Sequence, residues 1–599
     1  MGDVRAATGS IDGEQLYGAF ASGLRGIERE RDYLNRINVF PVPDGDTGTN
    51  LVVTLASALE SAHVSTSAGE TMSSIADAAL VGARGNSGII FAQFLRGLSE
   101  AFHDAPRVTK ERFVDAAEHA AGRARDAVSH PRDGTILSVM RAWAEALRRE
   151  VDAAQSIGEL LRKAAPTLTE SLGRTQETLP ELKAAGVADA GASGFVEFVT
   201  GAERFIDGGV AAPPRVNAEH VPPLGDAFDL HESGGGRFRY CAEALVAGDA
   251  IDHDALRRTL EPLGDSLMVA GGGQRARVHL HTDEPARAFA SVAVTGRVVQ
   301  QKVDDMRLQY EVAHARKYPI AIVTDSICDL PRALLDRYQI HVVPLHLRID
   351  EQEYLDGLTI EPTLFFDLAE RAREFPTSSQ PSGDLFARLY SFLSTYYDSI
   401  IAVHTSGQLS GTAAASARAA AALPDAERIS VLDSRHLSAS LGLIVLRAAE
   451  AVAAGRSREA VVREIEASTR KAEILVSVRT LRYMVRGGRV SPVAGVLGKV
   501  LNVKPIVSLD ADGTSVLHGK ALSVRRNVEK IVAMVARRHA ETPLRCYAVV
   551  HGHDREAADD LAARLERAVG FPPLYVEEIS AIVALNAGRG AVAVATMVE

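Results

Sequence analysis

Two carboxylates one glycine apart, Asp44 and Asp46, stand in the segment Asn38-Val39-Phe40-Pro41-Val42-Pro43-Asp44-Gly45-Asp46-Thr47-Gly48-Thr49-Asn50. The prolines forbid helix through it, so both acids can point to one side, and the glycines let backbone approach a ligand closely. Paired hard oxygen ligands of this kind suit Mg²⁺, which binds through one or two carboxylates together with substrate phosphates; a nucleotide is the natural companion. Standing alone, an Asp-Gly-Asp is more often a tight turn than a metal site. Further along, Gly85-Asn86-Ser87-Gly88 reads as a turn that starts a helix, and the exposed N–H groups of such a start attract phosphate.

A second chemistry is spelled by Cys241 on one predicted strand and the alternating pair His279 and His281 on another, which a period of two puts on the same face. One thiolate and two imidazoles suit zinc with an open fourth position. Without further context the plainer reading is a buried core cysteine and a solvated histidine pair.

These groups must be positioned by more than one domain, because 599 residues exceed what a single hydrophobic core serves. Residues 1–206 read as helical. Leu16, Phe20, Leu24 and Ile27 share one helical face that Asp12 can cap, and Glu111 to Val128 and Ile136 to Ala154 are amphipathic at the same period. A Gly- and Pro-rich stretch from Asp207 to Arg237 reads as a linker into a small α+β unit ending near Lys317, with strands over Phe238 to Ala247 and Arg277 to His281 flanking one helix, Asp254 to Leu263. From 318 to 599 the pattern is strand, loop, helix: Ile320 to Val323, Ser399 to Val403, Ile429 to Leu432 and Tyr547 to Val550 are short apolar runs, each followed by a helical pattern. That alternation predicts an α/β fold with a largely parallel sheet and ligands at the carboxyl ends of its strands.

Composition removes several function classes. With 46% apolar and 24% charged residues the chain is globular, and a net charge of −11 without a basic tail excludes nonspecific nucleic-acid binding. Three cysteines far apart argue against a disulfide framework and for a reducing, cytoplasmic setting. Met1 to Gly13 lacks the apolar core of a signal peptide and no apolar run approaches a membrane span, so membrane contact is expected to be transient at most.

Taken whole, the Asn38 to Asn50 string closely resembles the nucleotide-binding signature of the DhaL-type kinase domain in the version found in bacterial fatty acid kinases. Gly82-Ala83-Arg84-Gly85-Asn86-Ser87-Gly88, Asp133-Gly134-Thr135-Ile136-Leu137 and Val187-Ala188-Asp189-Ala190-Gly191-Ala192-Ser193-Gly194 follow in the order of that family. The resemblance implies an all-α barrel of eight helices holding ATP and two Mg²⁺ at one end. It makes Asp44 and Asp46 metal ligands with Asn38 a third, and it brings Gly85, Asn86, Ser87, Thr47, Thr49, Asn50 and Thr135 to the nucleotide. The strings Arg239-Tyr240-Cys241-Ala242-Glu243 and Val278-His279-Leu280-His281-Thr282 resemble the fatty acid kinase middle domain, in which such a Cys and two His gather around a metal, so Zn²⁺ on Cys241, His279 and His281 is implied.

Residues 318–599 resemble the DegV family of fatty-acid-binding proteins. The resemblance is carried by Val323-Thr324-Asp325-Ser326, Thr377-Ser378-Ser379-Gln380-Pro381-Ser382, Leu409-Ser410-Gly411-Thr412, Val431-Leu432-Asp433-Ser434 and Arg486-Gly487-Gly488-Arg489. It implies an apolar tunnel for an acyl chain and carboxylate donors at Ser378, Ser379 and Ser406, whose plainer reading is turn and N-cap duty. Two positions depart from the family pattern: Gly407 replaces a second serine, and Asn586 replaces a histidine that helps bind the carboxylate. An amide donates a hydrogen bond but cannot be a cation, and Arg489 is a substitute.

Together the parts imply an ATP-dependent kinase that turns a fatty acid into an acyl phosphate, the lipid being presented by the fused DegV-like region. A homodimer is expected, as are encounters with separate DegV-type or acyl-transfer proteins. The alternatives are a dihydroxyacetone-type polyol kinase, for which no sugar-holding domain is evident, and a lipid carrier without catalysis.

Overall fold

Asp12 starts the first helix, α1 (Gly13–Arg36). Its carboxylate accepts from the Gln15 N–H while the Gln15 side chain accepts from its own N–H, closing a capping box. In the computed structural model, which describes residues 9–40, 45–208, 237–489 and 504–599, α1 is followed by α2 (Thr47–Ser61), α3 (Ala68–Gly82), α4 (Gly85–Phe102), α5 (Lys110–Asp126), α6 (Ile136–Glu150), α7 (Ile157–Thr178), the short α8 (Pro180–Ala185) and α9 (Ala190–Ile206). Each of the longer helices packs on the next and α9 returns to α1, so the ring closes. Its interior holds Phe91, Phe94, Phe195 and the single tryptophan, Trp143, whose ring lies edge-on to Phe113 and Phe195. One two-stranded pair, β1 (Ser10–Ile11) with β2 (Val108–Thr109), ties the chain start to the loop before α5.

Short connections make consecutive helices antiparallel. Four of them, α2, α4, α6 and α9, therefore begin at the end of the ring where α1 stops. This is the feature that builds the site.

The middle region adds β3 (Tyr240–Ala247), α10 (His253–Leu260), β4 (Asp265–Gly272), β5 (Arg275–Thr282), α11 (Pro285–Thr295), β6 (Arg297–Asp305) and α12 (Met306–His314). The strands form an antiparallel sheet in the order β4-β5-β3-β6. The expected two strands and one helix are thus two of four strands and one of three α-helices among the described residues. β4 ends in glycines and β6 is a partly exposed edge, so neither shows the alternation that a half-buried strand carries. One face of the sheet packs Ala242, Ala244, Val246, Val278 and Leu280 against Leu256, Leu260 and Phe289. The sheet joins the helical ring through β4: Met268 and Ala270 belong to the helical core, and Val269 N–H donates to Ala127 O at 3.4 Å. These two regions form one compact unit, Met1–Ala313; His314–Glu599 forms another.

In the second unit β7 (Ile320–Asp325) and β8 (His341–Val343) lie in a wholly parallel sheet with β12 (Ser399–His404) and β13 (Ile429–Asp433), ordered β13-β12-β7-β8. Between them in sequence, β9 (His346–Ile349), β10 (Gln352–Leu355) and β11 (Thr377–Ser379) make a small antiparallel sheet. A six-stranded sheet follows, from β14 (Ala472–Ser477), β15 (Lys504–Leu509), β16 (Ser515–Ala521), β17 (Leu544–His551), β18 (Val576–Glu578) and β19 (Val592–Val598). It is antiparallel except for β17 with β18. The expectation of one largely parallel sheet is therefore corrected for the strand containing Tyr547 to Val550. A strand buried on both faces is a continuous apolar run whichever way its neighbours point. Among the described residues no helix is long and apolar enough to cross a membrane.

Candidate functional site

The helix starts gathered at one end of the ring are linked side chain to side chain. Asn35 near the end of α1 donates through Nδ2 to Thr49 Oγ1 at 2.9 Å and accepts from Thr49 N–H at 3.1 Å, anchoring the first turn of α2. Thr47 Oγ1 lies 3.5 Å from Ser87 Oγ, which joins α2 to α4. Asp189, the N-cap of α9, accepts from Ala192 N–H at 2.7 Å and reaches across to Ile136 N–H at 3.0 Å, which joins α9 to α6. Burial pushes the Asp189 carboxyl up to about 6 although both amides pull it down.

Asp46 holds the N-cap position of α2 but makes no capping hydrogen bond, and Arg84 and Thr135 stand likewise before α4 and α6. Three helix starts thus keep first-turn N–H groups with no side-chain cap from their own N-cap residues, and their dipoles add positive potential at one place. Gly85 adopts φ +54° and leaves no room for a side chain, since a Cβ there would stand 2.4 Å from Asn50 Nδ2. Asn86 Oδ1 is buried with no hydrogen-bond partner among the described residues. Asn38 and Asn50 are buried at the same end. Of the residues anticipated for nucleotide and metal, Asn38, Asp46, Thr47, Thr49, Asn50, Gly85, Asn86, Ser87 and Thr135 therefore sit on α1, α2, α4 and α6 or beside their ends here; Asp44 lies outside the described residues. The arrangement suits a polyanion and a hard cation.

Beside it lies a second cluster. Register pairs Cys241 with His281 and Glu243 with His279 across β3 and β5, on the face opposite the apolar core. His279 Nε2 is 3.3 Å from His281 Nε2, Cys241 Sγ is 3.8 Å from His279 Nδ1, and one ligand atom from each of the three residues falls within 4.8 Å of the others. Two nitrogens each about 2.1 Å from a tetrahedral zinc lie about 3.4 Å apart, so the donor set fits that ion. Two members of this face were not anticipated: Glu243 and Arg277. Arg277 Nη2 donates to Glu243 Oε2 at 2.7 Å, both side chains being 2% exposed. Burial would raise the Glu243 carboxyl, but the hydrogen bond from His279 and the charge of Arg277 hold it well below the ordinary range. The signal was present in the strings Cys-x-Glu and Arg-x-His-x-His, whose alternation puts Glu243 with Cys241 on one face of β3 and Arg277 with the two histidines on one face of β5; the register joins the two faces.

The second unit contains a cavity of about 390 Å³. Its apolar wall includes Ile327, Val476, Val507, Val550 and Ala593; Ser378, Ser379, Thr405, Ser410, Ser438 and Arg489 supply polar groups. Ser378 and Ser379 are placed by β11. Arg489 Nε donates to Leu409 O at 3.2 Å. Asn586 lines the cavity from the helix Ala581–Ala587, donating through Nδ2 to Ile582 O at 3.1 Å, while its Oδ1 is buried without a partner among the described residues. Ser406 does not line the cavity. Its hydroxyl donates to Gly513 O at 2.9 Å and accepts from Gln408 N–H, and its neighbour Thr405 takes the place at the wall. Gly407 has a local reason: a Cβ there would stand 2.8 Å from Asp433 Oδ2, which accepts the Gly407 N–H.

Two buried acids brace the cavity wall and were not foreseen. Asp329 accepts from Ser438 Oγ and from Ser580 N–H, and Asp356 accepts from Ser326 Oγ and from the first amides of the Ala581–Ala587 helix. Burial pushes Asp329 up to about 8 and Asp356 up to about 7.

The described residues thus hold a ring of helices with one end suited to a polyanion, a Cys/His cluster beside it, and, in the other unit, a cavity with an apolar wall. Family models agree with that division. The DAK2 domain matches residues 41–204, the FakA-like middle domain of fatty acid kinase 237–313, and the DegV family (COG1307) 319–599. The chain is a fusion of a DAK2 domain, with a FakA-like middle domain, and a DegV-family region. Uncharacterized proteins of Staphylococcus epidermidis and Staphylococcus saprophyticus are 29% and 30% identical to it over 344 and 311 residues. Those matches take in 53% and 50% of this chain but 62% and 56% of the relatives, so the chain spans a little over half their length. Among solved structures, a DegV-family protein from Thermus thermophilus described as fatty acid binding is 32% identical, and DegV from Bacillus subtilis, described as a fatty acid binding protein, 26%. Each is covered completely, by 47% of this chain, with TM-scores of 0.44 and 0.43.

Proposed function

We propose that this chain transfers the γ-phosphoryl group of ATP to a fatty acid carboxylate, forming an acyl phosphate and ADP. The carboxylate oxygen forms the new bond to phosphorus as the bond to the β,γ-bridging oxygen breaks. Carboxyl groups titrate near 4 to 5, so the acceptor is already an anion at neutral pH and no general base is required. Catalysis then consists of alignment and charge neutralisation.

The protein's part is to hold the phosphates on the starts of α2, α4 and α6, with Gly85, Asn86, Ser87, Thr47, Thr49, Asn50 and Thr135 around them. Asp46, Asp44 and Asn38 are the ligands for two Mg²⁺ ions, which neutralise the repulsion between the two anions. Cys241, His279 and His281 are ligands for Zn²⁺. In the DegV-family region the apolar wall holds the acyl chain, each buried CH₂ contributing about 0.8 kcal/mol, and Ser378, Ser379 and Arg489 face its carboxylate. Thr405 takes the role first given to Ser406, and Asn586 lines the same cavity.

One observation carries the reading: the starts of α2, α4 and α6, none capped by its own N-cap side chain, gather at one end of the ring, where Asn86 Oδ1 is buried without a partner among the described residues, in a chain whose other unit encloses a cavity with an apolar wall. The test is transfer of labelled phosphate from ATP to oleate or palmitate, compared with dihydroxyacetone. Acid-labile acyl phosphate that disappears in Asp44→Ala and Asp46→Ala is expected. Turnover of dihydroxyacetone alone, or turnover unchanged by both substitutions, refutes it.

A further inference from the structure

The amide that opens the phosphate-facing helix is not left to solvent. Gly85 N–H points at Glu243 Oε1, 3.4 Å away, on a strand of the middle domain. The same oxygen lies 3.5 Å from His279 Nδ1, and the other carboxylate oxygen takes the Arg277 guanidinium, which also donates to Gln300. One buried side chain thus touches the first turn of α4 and a histidine of the Cys241/His279/His281 cluster. Its position is dictated by register, since Glu243 faces His279 across β3 and β5. β4, on the far side of β5, is docked on the helical ring by Val269 N–H to Ala127 O and by Arg123 to Gly271 O. The carboxylate is therefore held from both sides.

A histidine that binds a metal through one ring nitrogen usually gives the other to a carboxylate or carbonyl, which fixes the ring. Glu243 is placed to be that group for His279. It also competes for, or aligns, an amide of the phosphate loop, at Gly85, where the Asn50 side chain occupies the space a Cβ would take. We propose that Glu243 is a positioning residue that couples metal binding at Cys241/His279/His281 to nucleotide binding at the start of α4. The inference rests on the nucleotide reading of that end of the ring. By linkage, the factor by which the metal changes nucleotide affinity must equal the factor by which nucleotide changes metal affinity.

The experiment uses the full chain stripped of metal and reloaded with Zn²⁺ or Co²⁺. Calorimetry measures the affinity for a nonhydrolysable ATP analogue with Mg²⁺, with and without Zn²⁺, and absorption follows the thiolate and ligand-field bands of the Co²⁺ form as the analogue is added. In the wild-type protein a change in affinity of about 5-fold or more is expected, together with a shift of the Co²⁺ bands. Glu243→Gln leaves the Arg277 charge buried and unpaired, so Glu243→Gln with Arg277→Met is measured beside it, both charges being removed together. The double variant is expected to bind Co²⁺ and analogue separately, with a coupling factor near 1. A wild-type affinity for analogue that ignores the metal, with Co²⁺ bands that do not move, overturns the inference by itself and needs no variant. Coupling that survives in the double variant overturns the role of Glu243. A wild-type protein that binds no analogue at all removes the nucleotide reading, and the coupling with it.

Discussion

Asp329→Asn should remove a pH dependence that the wild-type second unit cannot avoid. The Asp329 carboxyl is pushed from an ordinary 3.8 up to about 8 by burial, against the hydrogen bonds from Ser438 and the Ser580 amide. A carboxyl raised in this way keeps its proton in the folded protein while the unfolded chain has lost it. Its stabilising contribution is full below 3.8 and declines as pH rises toward 8. The decline runs at about 1.4 kcal/mol per pH unit, so from pH 6 to pH 8 the unit loses on the order of 3 kcal/mol through this residue. For a unit of this size that corresponds to a fall in Tm of roughly 6 to 12 °C. Asparagine keeps an acceptor for Ser580 N–H and carries no charge, so the variant should lose this part of the slope and end more stable than the wild type at pH 8. Scanning calorimetry of the full chain at several pH values, read as the difference between variant and wild type, cancels the titrating histidines. Parallel curves, or a wild-type unit that grows more stable toward pH 8, would refute the argument. Asp356, up to about 7, interacts with Asp329 and titrates with it, so Asp356→Asn should remove a further part of the slope.

Gly85→Ala forces a left-handed φ on a residue with a Cβ and drives that Cβ into Asn50. A stability loss of about 1 to 3 kcal/mol is expected from the backbone term, with affinity for Mg²⁺ and the ATP analogue falling at least 10-fold; calorimetry reads both, and an unchanged affinity refutes the placement of phosphate there. Phe195→Ala opens a cavity beside Trp143, Phe91 and Phe94 and should cost about 3 to 5 kcal/mol. Since Trp143 is the only tryptophan, a red shift of its emission and an earlier fluorescence transition should report it, with the melting of the second unit unmoved. Cys241→Ala with His281→Ala should abolish retention of Zn²⁺ through gel filtration, measured by elemental analysis, and stoichiometric zinc in that variant would dismiss the cluster.

Much of the helical region could be read from the chain because helix signals are local. The Asp12 to Gln15 box, the Leu16, Phe20, Leu24 and Ile27 face, and the breaker after Asn38 lie within a few turns of what they specify. Alternation likewise put His279 and His281 on one face of their strand before any pairing was known. Which residues stand opposite one another depends on register, and a slip of one residue would turn Glu243 and Cys241 to the other side of the sheet. The Glu243 link to Gly85, the meeting of the α2, α4, α6 and α9 starts, and the burial of Asp329 and Asp356 join positions far apart in sequence. The direction of β17 among its neighbours is also nonlocal, because a strand buried on both faces carries the same apolar run in either sense. Residue types and spacing determined which chemistries this chain contains. Closure of the helical ring and docking of β4 upon it decided which of those groups touch, since only packing brings distant backbone together and shuts out water between charges.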